Sequence, residues 1–281
     1  MPTADLSAGP VEYLDTGGEA PVIVFLHGLL MNGSLWRAVI PALQPRYRCV
    51  LPTLPLGGHR RPMNPDADLS LTGMIGVVAD FLDHLNLRDV TLVHSDWGGA
   101  LFLTALGRDE RVGRHVVCPS EAFDNFPPGL PGALVTIAAR IPGGIPLALR
   151  QLRIPALRNT RLMFGHMAKR PVPDDLIDEW TAPALRSAEI RRDLRKYARR
   201  TWPKAQLVAA THKLVDFTGP SLVLWAPESD VMPAAHGAAL AALLPNGRLV
   251  EVDDSYVLVS LDQPEIVARS IDHFLRSTLE H

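Results

Sequence analysis

The sequence predicts an α/β fold: a mostly parallel, twisted sheet with helices on both faces and one helical insertion. Three observations carry that expectation. Short apolar runs alternate with amphipathic segments up to about residue 120, the alternation resumes from residue 214 onward, and strand signals vanish between the two stretches. Strands alternating with helical patterns imply strand-helix-strand units, and such units pair their strands in parallel.

In the first stretch the apolar run 22–26 precedes the amphipathic segment 34–43, run 48–51 precedes 70–85, and run 90–93 precedes 98–106. Runs of four or five apolar residues between turn residues have the length of buried strands, whereas the longer segments repeat apolar residues at helical spacing. After residue 214, segment 221–225 reads as a strand, 236–244 as a helix, 248–252 as a strand and 264–275 as a closing helix. Pro264 opens that last helix, where its missing N–H has no intrahelical partner to lose. From Glu121 to Lys213 Pro recurs at 127, 128, 131, 142, 146, 155, 171 and 173, and short helical stretches such as 174–180 and 188–200 dominate. The expected organisation is a core of residues 1–120 and 214–281 with a helical insertion at 121–213.

Composition bounds the function. With 281 residues, 47% of them hydrophobic and 21% charged, the chain can bury a sizeable core and is neither disordered nor collagen-like. A net charge of −2 argues against nucleic acid as a partner. That total hides an asymmetry: residues 121–213 hold 16 Lys and Arg against 8 Asp and Glu, a net +8, which leaves 12 against 22, or −10, for the rest. A basic insertion docked on an acidic core explains this, and so does attraction of an anionic substrate between them. Cys49 and Cys118 lie in apolar runs, too few for a disulfide framework or a zinc site, and read as buried free thiols. The first residues lack the basic and apolar stretches of a signal peptide, and no apolar run reaches the ~18 residues of a membrane span. A cytoplasmic location with no membrane partner is expected, with a small molecule as the partner; oligomeric state has no readable signal. No HExxH and no G-x-G-x-x-G after a strand occurs, so neither a metal nor another cofactor is expected.

Chemistry concentrates in Val90-Thr-Leu-Val-His-Ser-Asp-Trp-Gly-Gly99, an apolar strand running into a Gly pair. A nucleophile elbow needs this context, because its central residue sits on a sharp turn and small residues behind it let the next segment pack close. Asp96 has Gly98 and Gly99 two and three residues on; Ser95, the alternative, puts bulky Trp97 where a small residue is required. An Asp in that slot attacks a saturated electrophilic carbon and leaves an ester, whereas a Ser acts on carboxyl esters. An Asp here also reads as the N-cap of the following segment.

These residues resemble the α/β-hydrolase superfamily, and within it the branch with an Asp nucleophile, the haloalkane dehalogenases and epoxide hydrolases. Val22-Ile-Val-Phe-Leu-His-Gly-Leu-Leu30 is similar to that family's first central strand and His-Gly turn, and HSDWGG is similar to its HDWGG motif. Leu51-Pro-Thr-Leu-Pro-Leu-Gly-Gly58 is similar to its Gly loop, and Leu222-Val-Leu-Trp-Ala-Pro-Glu-Ser-Asp230 to the late strand that ends in an orienting acid. The resemblance covers nearly the whole chain and makes 121–213 the cap. It implies Asp96 as nucleophile, Asp230 as supporting acid with Glu121 and Asp124 as competitors, and the backbone N–H groups of Leu29 and Trp97 as the oxyanion hole. His27 shapes the turn. Trp97 either donates its indole N–H to a leaving halide or packs beneath the cap; cap residues Trp180 and Tyr197 are substrate-binding candidates, with His59 of the Gly loop.

The chain departs from the pattern in three places. Leu29 stands where many dehalogenases carry Asn, and Tyr197 is the cap's only Tyr where epoxide hydrolases use two. Between the last strand and last helix, Val252-Asp-Asp-Ser-Tyr-Val-Leu-Val-Ser-Leu-Asp-Gln-Pro264 contains no His, and Tyr256 or Val257 occupies that position. A phenol with a pKa near about 10 is a weak base but a usable donor. His94 and His59 are the candidates for a relocated base. The readings are therefore hydrolysis of a small, mostly apolar epoxide or organohalide through an ester, non-hydrolytic ring opening, elimination or cyclisation with Asp96 and Tyr256, a Ser95 esterase, and a ligand-binding homologue without turnover.

Overall fold

The computed structural model describes residues 1–96, 100–199 and 202–279. Its sheet runs in the order β1 (Thr3–Leu6), β2 (Gly9–Asp15), β4 (Arg48–Pro52), β3 (Val22–Phe25), β5 (Val90–Asp96), β6 (Val112–Ser120), β7 (Ser221–Trp225) and β8 (Gly247–Glu251). β1 and β2 form an antiparallel pair, β2 is antiparallel to β4, and the remaining neighbours are parallel. All seven residues of β5 are buried. A strand covered on both faces needs a continuous apolar run rather than alternation, and Val90 to Val93 supplies it.

This order positions the site. From β3 the chain goes to β4 on one side and later to β5 on the other, so the crevice at the carboxyl ends of β3 and β5 is a topological switch point, where open α/β sheets bind ligands. His27, Gly28 and Leu29 leave β3 there, and Asp96 ends β5. The β5–β6 register shifts between His94 and Asp96, which pairs with Ser120. Such an irregularity re-aims side chains at a strand end.

Most expected elements are present, with three differences. Segment 34–43 splits into a 3-10 turn, Gly33–Trp36, and helix α1 (Ile40–Leu43). Pro41 explains the break, since it has no N–H to continue a helix from the preceding turn. The described residues of segment 98–106 form two 3-10 turns, Ala100–Phe102 and Thr104–Leu106, closed by Gly107 at φ +62, where one helix was expected, and residues 98 and 99 lie outside the described residues. The β1–β2 hairpin was not expected, because it follows Pro- and Gly-containing sequence with little alternation. Helix α2 (Leu71–His84) starts where Ser70 Oγ accepts the Gly73 N–H at 3.3 Å, an N-cap that the sequence displays.

Residues 121–213 carry helices α3 (Gly129–Arg140), α4 (Gly144–Leu152), α5 (Pro155–Arg158), α6 (Asp174–Arg186), α7 (Ala188–Arg199) and α8 (Lys204–His212), and no strand among their described residues. Helices α9 (Ala234–Leu243), α10 (Val259–Asp262) and α11 (Pro264–Leu279) complete the chain. Two fastenings tie 121–213 to the sheet region. Asp193 on α7 is fully buried and accepts the Met63 N–H at 2.8 Å, with His59 Nε2 at 3.3 Å. Asp262 accepts backbone N–H groups of Lys169, Arg170 and Tyr256 at 2.9, 2.9 and 3.0 Å. Cys49 and Cys118 are free and buried.

Candidate active site

Asp96 occupies a left-handed backbone conformation, φ +58, which a non-glycine residue adopts only where its surroundings impose it. The turn aims its carboxylate into an apolar cavity of about 350 Å³, where Asp96 and Gln151 are the only polar side chains among the described lining residues. Asp96 is buried, and its Oδ2 accepts the Leu29 N–H at 3.1 Å. Gly28 allows that approach: a Cβ there would lie 2.1 Å from Asp96 Oδ2. Leu30, also left-handed at φ +64, completes the turn and donates its N–H to the Leu56 carbonyl at 2.8 Å. His27 braces it from behind. Its Nε2 accepts the Leu54 N–H at 2.8 Å and its Nδ1 donates to the Gly28 carbonyl at 2.8 Å, while burial holds the ring neutral with a pKa down to about 4.

Two further ionisable groups share this environment. Glu121, one residue past β6, is buried, and its Oε1 meets no hydrogen-bond donor among the described residues. Burial, and then the charge of Asp96, push its carboxyl well above the usual range. Tyr197 arrives from α7, also buried; burial and the charges of Glu121 and Asp96 raise its phenol. Carboxylates so close in an apolar setting resist ionising together.

Glu121 and Tyr197 do not themselves line the cavity, and neither do the other described candidates. Asp230 is 66% exposed and pairs with Arg161 at 2.6 Å, so of the three acids weighed, the buried one beside Asp96 is Glu121. Asp124 is exposed near Lys204. Tyr256 is half-buried beneath Lys169 Nζ, 5.9 Å from its ring centre, and Val257 is fully buried. His94 packs in the sheet against His115 at 3.2 Å; burial pushes its pKa well down. His59 is engaged by Asp193 and by the Gly57 N–H at 3.2 Å. Trp180 donates its indole N–H to Ser34 Oγ at 2.9 Å and packs at a 41° tilt against Phe164, which lines the cavity. Ser95 is buried with its Oγ unpartnered among the described residues and does not line the cavity. Trp97 lies outside the described residues.

Sequence reasoning missed the cavity walls on α3 and α4, among them Leu134, Ile137, Leu147 and Gln151. Their only signal is a stretch rich in Leu, Ile and Pro without an acidic residue.

The family model for the alpha/beta hydrolase fold matches residues 21–264. The chain belongs to the α/β-hydrolase fold family. A haloalkane dehalogenase of Mesorhizobium japonicum is 38% identical over 103 residues, 36% of this chain and 33% of that protein. A cis-3-alkyl-4-alkyloxetan-2-one decarboxylase of Xanthomonas campestris is 35% identical over 130 residues, 43% of each chain. These matches thus span a third to two-fifths of the relatives' length. The crystal structure of a haloalkane dehalogenase from Bradyrhizobium elkani superposes with a TM-score of 0.78 at 20% identity, covering 99% of this chain and 98% of that one. The chain is therefore similar to haloalkane dehalogenases in sequence and, over nearly all of its length, in fold. The His-Gly turn and the β5 turn that carry its site both fall inside the matched region.

Proposed function

We propose that this α/β hydrolase uses Asp96 to attack an electrophilic carbon of a small, mostly apolar organohalide or epoxide, with residues 121–213 acting as the cap over the cavity. The observation that carries the reading is the Asp96 carboxylate itself, turned by a left-handed backbone into an apolar cavity and bonded to the Leu29 N–H. In the first step an Asp96 oxygen bonds to the substrate carbon as the carbon–halogen or carbon–oxygen bond breaks, and its electron pair leaves with the halide or alkoxide. Tyr197 supplies the proton an alkoxide requires. In the second step water adds to the ester carbonyl, the Leu29 N–H receives the developing oxyanion, and collapse releases the alcohol and the Asp96 carboxylate.

That second step needs a base, and Tyr256 or Val257 stands where the resemblance expects imidazole. Glu121 takes this role: its raised carboxyl pKa makes its ionised form a stronger base than an ordinary carboxylate. Incubation with a reactive alkyl bromide or small epoxide, followed by intact-mass spectrometry and peptide mapping, tests the reading. The expected result is an adduct on Asp96 that clears slowly, clears more slowly still in Glu121→Gln, and never forms in Asp96→Asn. Neither adduct nor product across a broad panel removes the nucleophile.

A second reading is favoured by the decarboxylase match together with the lack of a His in 252–264. Loss of CO2 from an oxetan-2-one to give an alkene consumes no water, so it requires no imidazole to activate one. Alkene released from a dialkyl oxetan-2-one, measured by gas chromatography and abolished in Asp96→Asn, distinguishes it.

A further inference from the structure

We propose that the outward face of α3, continued by α4, docks on an anionic lipid surface. The buried residues of α3 are the small ones, Gly132, Thr136 and Ala139. Its large apolar side chains face outward: Leu130 is 49% exposed, Leu134 37%, Ile137 51% and Ile141, which caps the helix, 52%. Their spacing of four, three and four residues makes one continuous stripe. A helix facing water places these residues the other way round. On α4, Leu147 extends the apolar face at 57% exposure, and Leu134, Ile137, Ile141 and Leu147 all line the cavity that ends at Asp96. Exposed apolar side chains gathered at one cavity mouth mark a surface that something covers.

Charge selects the occupant. Residues 125–173 contain seven Lys and Arg and no Asp or Glu. Five of these cations find carboxylates elsewhere: Arg153 with Asp178, Arg158 with Asp174, Arg161 with Asp230, Lys169 with Glu228, and Arg170 with Asp254. Arg140 and Arg150 have no carboxylate partner among the described residues. Each follows a stripe residue, Ile137 or Leu147, by three positions and so sits beside it on the helix. Apolar side chains flanked by unpaired guanidinium groups match a helix lying in the headgroup region of a membrane, its Leu and Ile at the acyl boundary and its arginines at the phosphates. A second copy of the chain would set these like charges against each other. No helix among the described residues is long and apolar enough to cross a membrane, so the contact is peripheral. The expectation of no membrane partner rested on the lack of a spanning run, which a peripheral face does not need. The inference is independent of what Asp96 does.

Flotation of the full chain with vesicles of phosphatidylcholine, alone or mixed with phosphatidylglycerol, tests it. Binding to the mixed vesicles is expected to exceed binding to phosphatidylcholine by about 25-fold or more, from roughly a factor of five or more for each of the two cations. Arg140→Glu with Arg150→Glu should erase that preference, and Ile137→Ser with Ile141→Ser should weaken binding to both vesicles by about 10-fold or more. Circular dichroism checks that each variant folds, and both pairs lie on the surface. Three results overturn the proposal: no binding of the unsubstituted chain to either vesicle, binding that the substitutions leave unchanged, or a dimer in light scattering that the Ile substitutions dissolve.

Discussion

At Asp96 the left-handed backbone (φ +58) and the missing side chain of Gly28 act as one device. A strained conformation of this kind costs about 1–3 kcal/mol and is retained where it aims a reactive group. Gly28→Ala should therefore reduce adduct formation by about 10²-fold or more, because its Cβ displaces the carboxylate from the Leu29 N–H; single-turnover mass spectrometry measures this. Glu121 gives a prediction of a different sign. Its folded-state pKa is raised, so the folded protein holds the proton more tightly than the unfolded chain, and stability declines as pH rises from the ordinary carboxyl range through the raised value. Glu121→Gln should consequently melt several degrees higher than the unsubstituted protein at mildly alkaline pH, with the difference closing near pH about 4. A calorimetric difference that does not vary with pH contradicts it. Asp96 was legible in the sequence from the glycines that follow it, since turn geometry is local. Glu121 was legible only as one of three acids, because burial beside Asp96 depends on how β6 ends against β5.

At the scale of the element, α7 links the buried surroundings of Asp96 and Glu121 to the loop after β4. Asp193 accepts the Met63 N–H and pairs with His59, Arg192 donates to the Met63 carbonyl at 2.6 Å, and Lys196 Nζ donates to the Ala67 carbonyl at 2.7 Å. Burial opposes the charge on Asp193, but hydrogen bonds from His59, the Met63 N–H and Arg192 outweigh it and hold the carboxyl below its usual range. Tyr197 lies one turn further along the same helix. Asp193→Ala should lower stability by about 2–4 kcal/mol in urea titrations, since it strands the buried Met63 N–H, the His59 ring N–H and the Arg192 guanidinium. The rate of the step that uses the Tyr197 proton should fall as well. Helical spacing identified α7 from sequence. Its amphipathic pattern shows which face is apolar and says nothing of which loop receives the polar residues.

For the whole molecule, buried neutral histidines set the acid limit of stability. Burial depresses the pKa of His27 and of His115 to about 4 and pushes that of His94 well below the ordinary value. Groups with depressed folded-state values bind protons more readily when unfolded, so their stabilising contribution is complete above the ordinary histidine pKa of about 6.5 and is lost as pH falls through the folded values. The urea midpoint should drop between pH about 6.5 and about 4, with no such drop if these rings were exposed. The thiols offer an independent check of the core. Burial pushes Cys49 and Cys118 to about 12, so neither should react with a disulfide reagent at neutral pH until the protein unfolds, and both should react afterwards.

The sequence by itself determined the parallel sheet, the helical stretch at 121–213 and the Asp96 turn, because each rests on signals a few residues apart: apolar runs, helical spacing and paired glycines. Only the tertiary structure decided which distant groups meet Asp96. It brought Glu121 and Tyr197 into the same buried environment, left Asp230 exposed with Arg161, and engaged His59 and His94 with other partners. It also turned the large residues of α3 outward, which periodicity alone assigns to a core. The physical reason is common to all of these. Burial and charge at a residue are sums over neighbours from separate elements, and a linear pattern fixes the face of each element without fixing what packs against it.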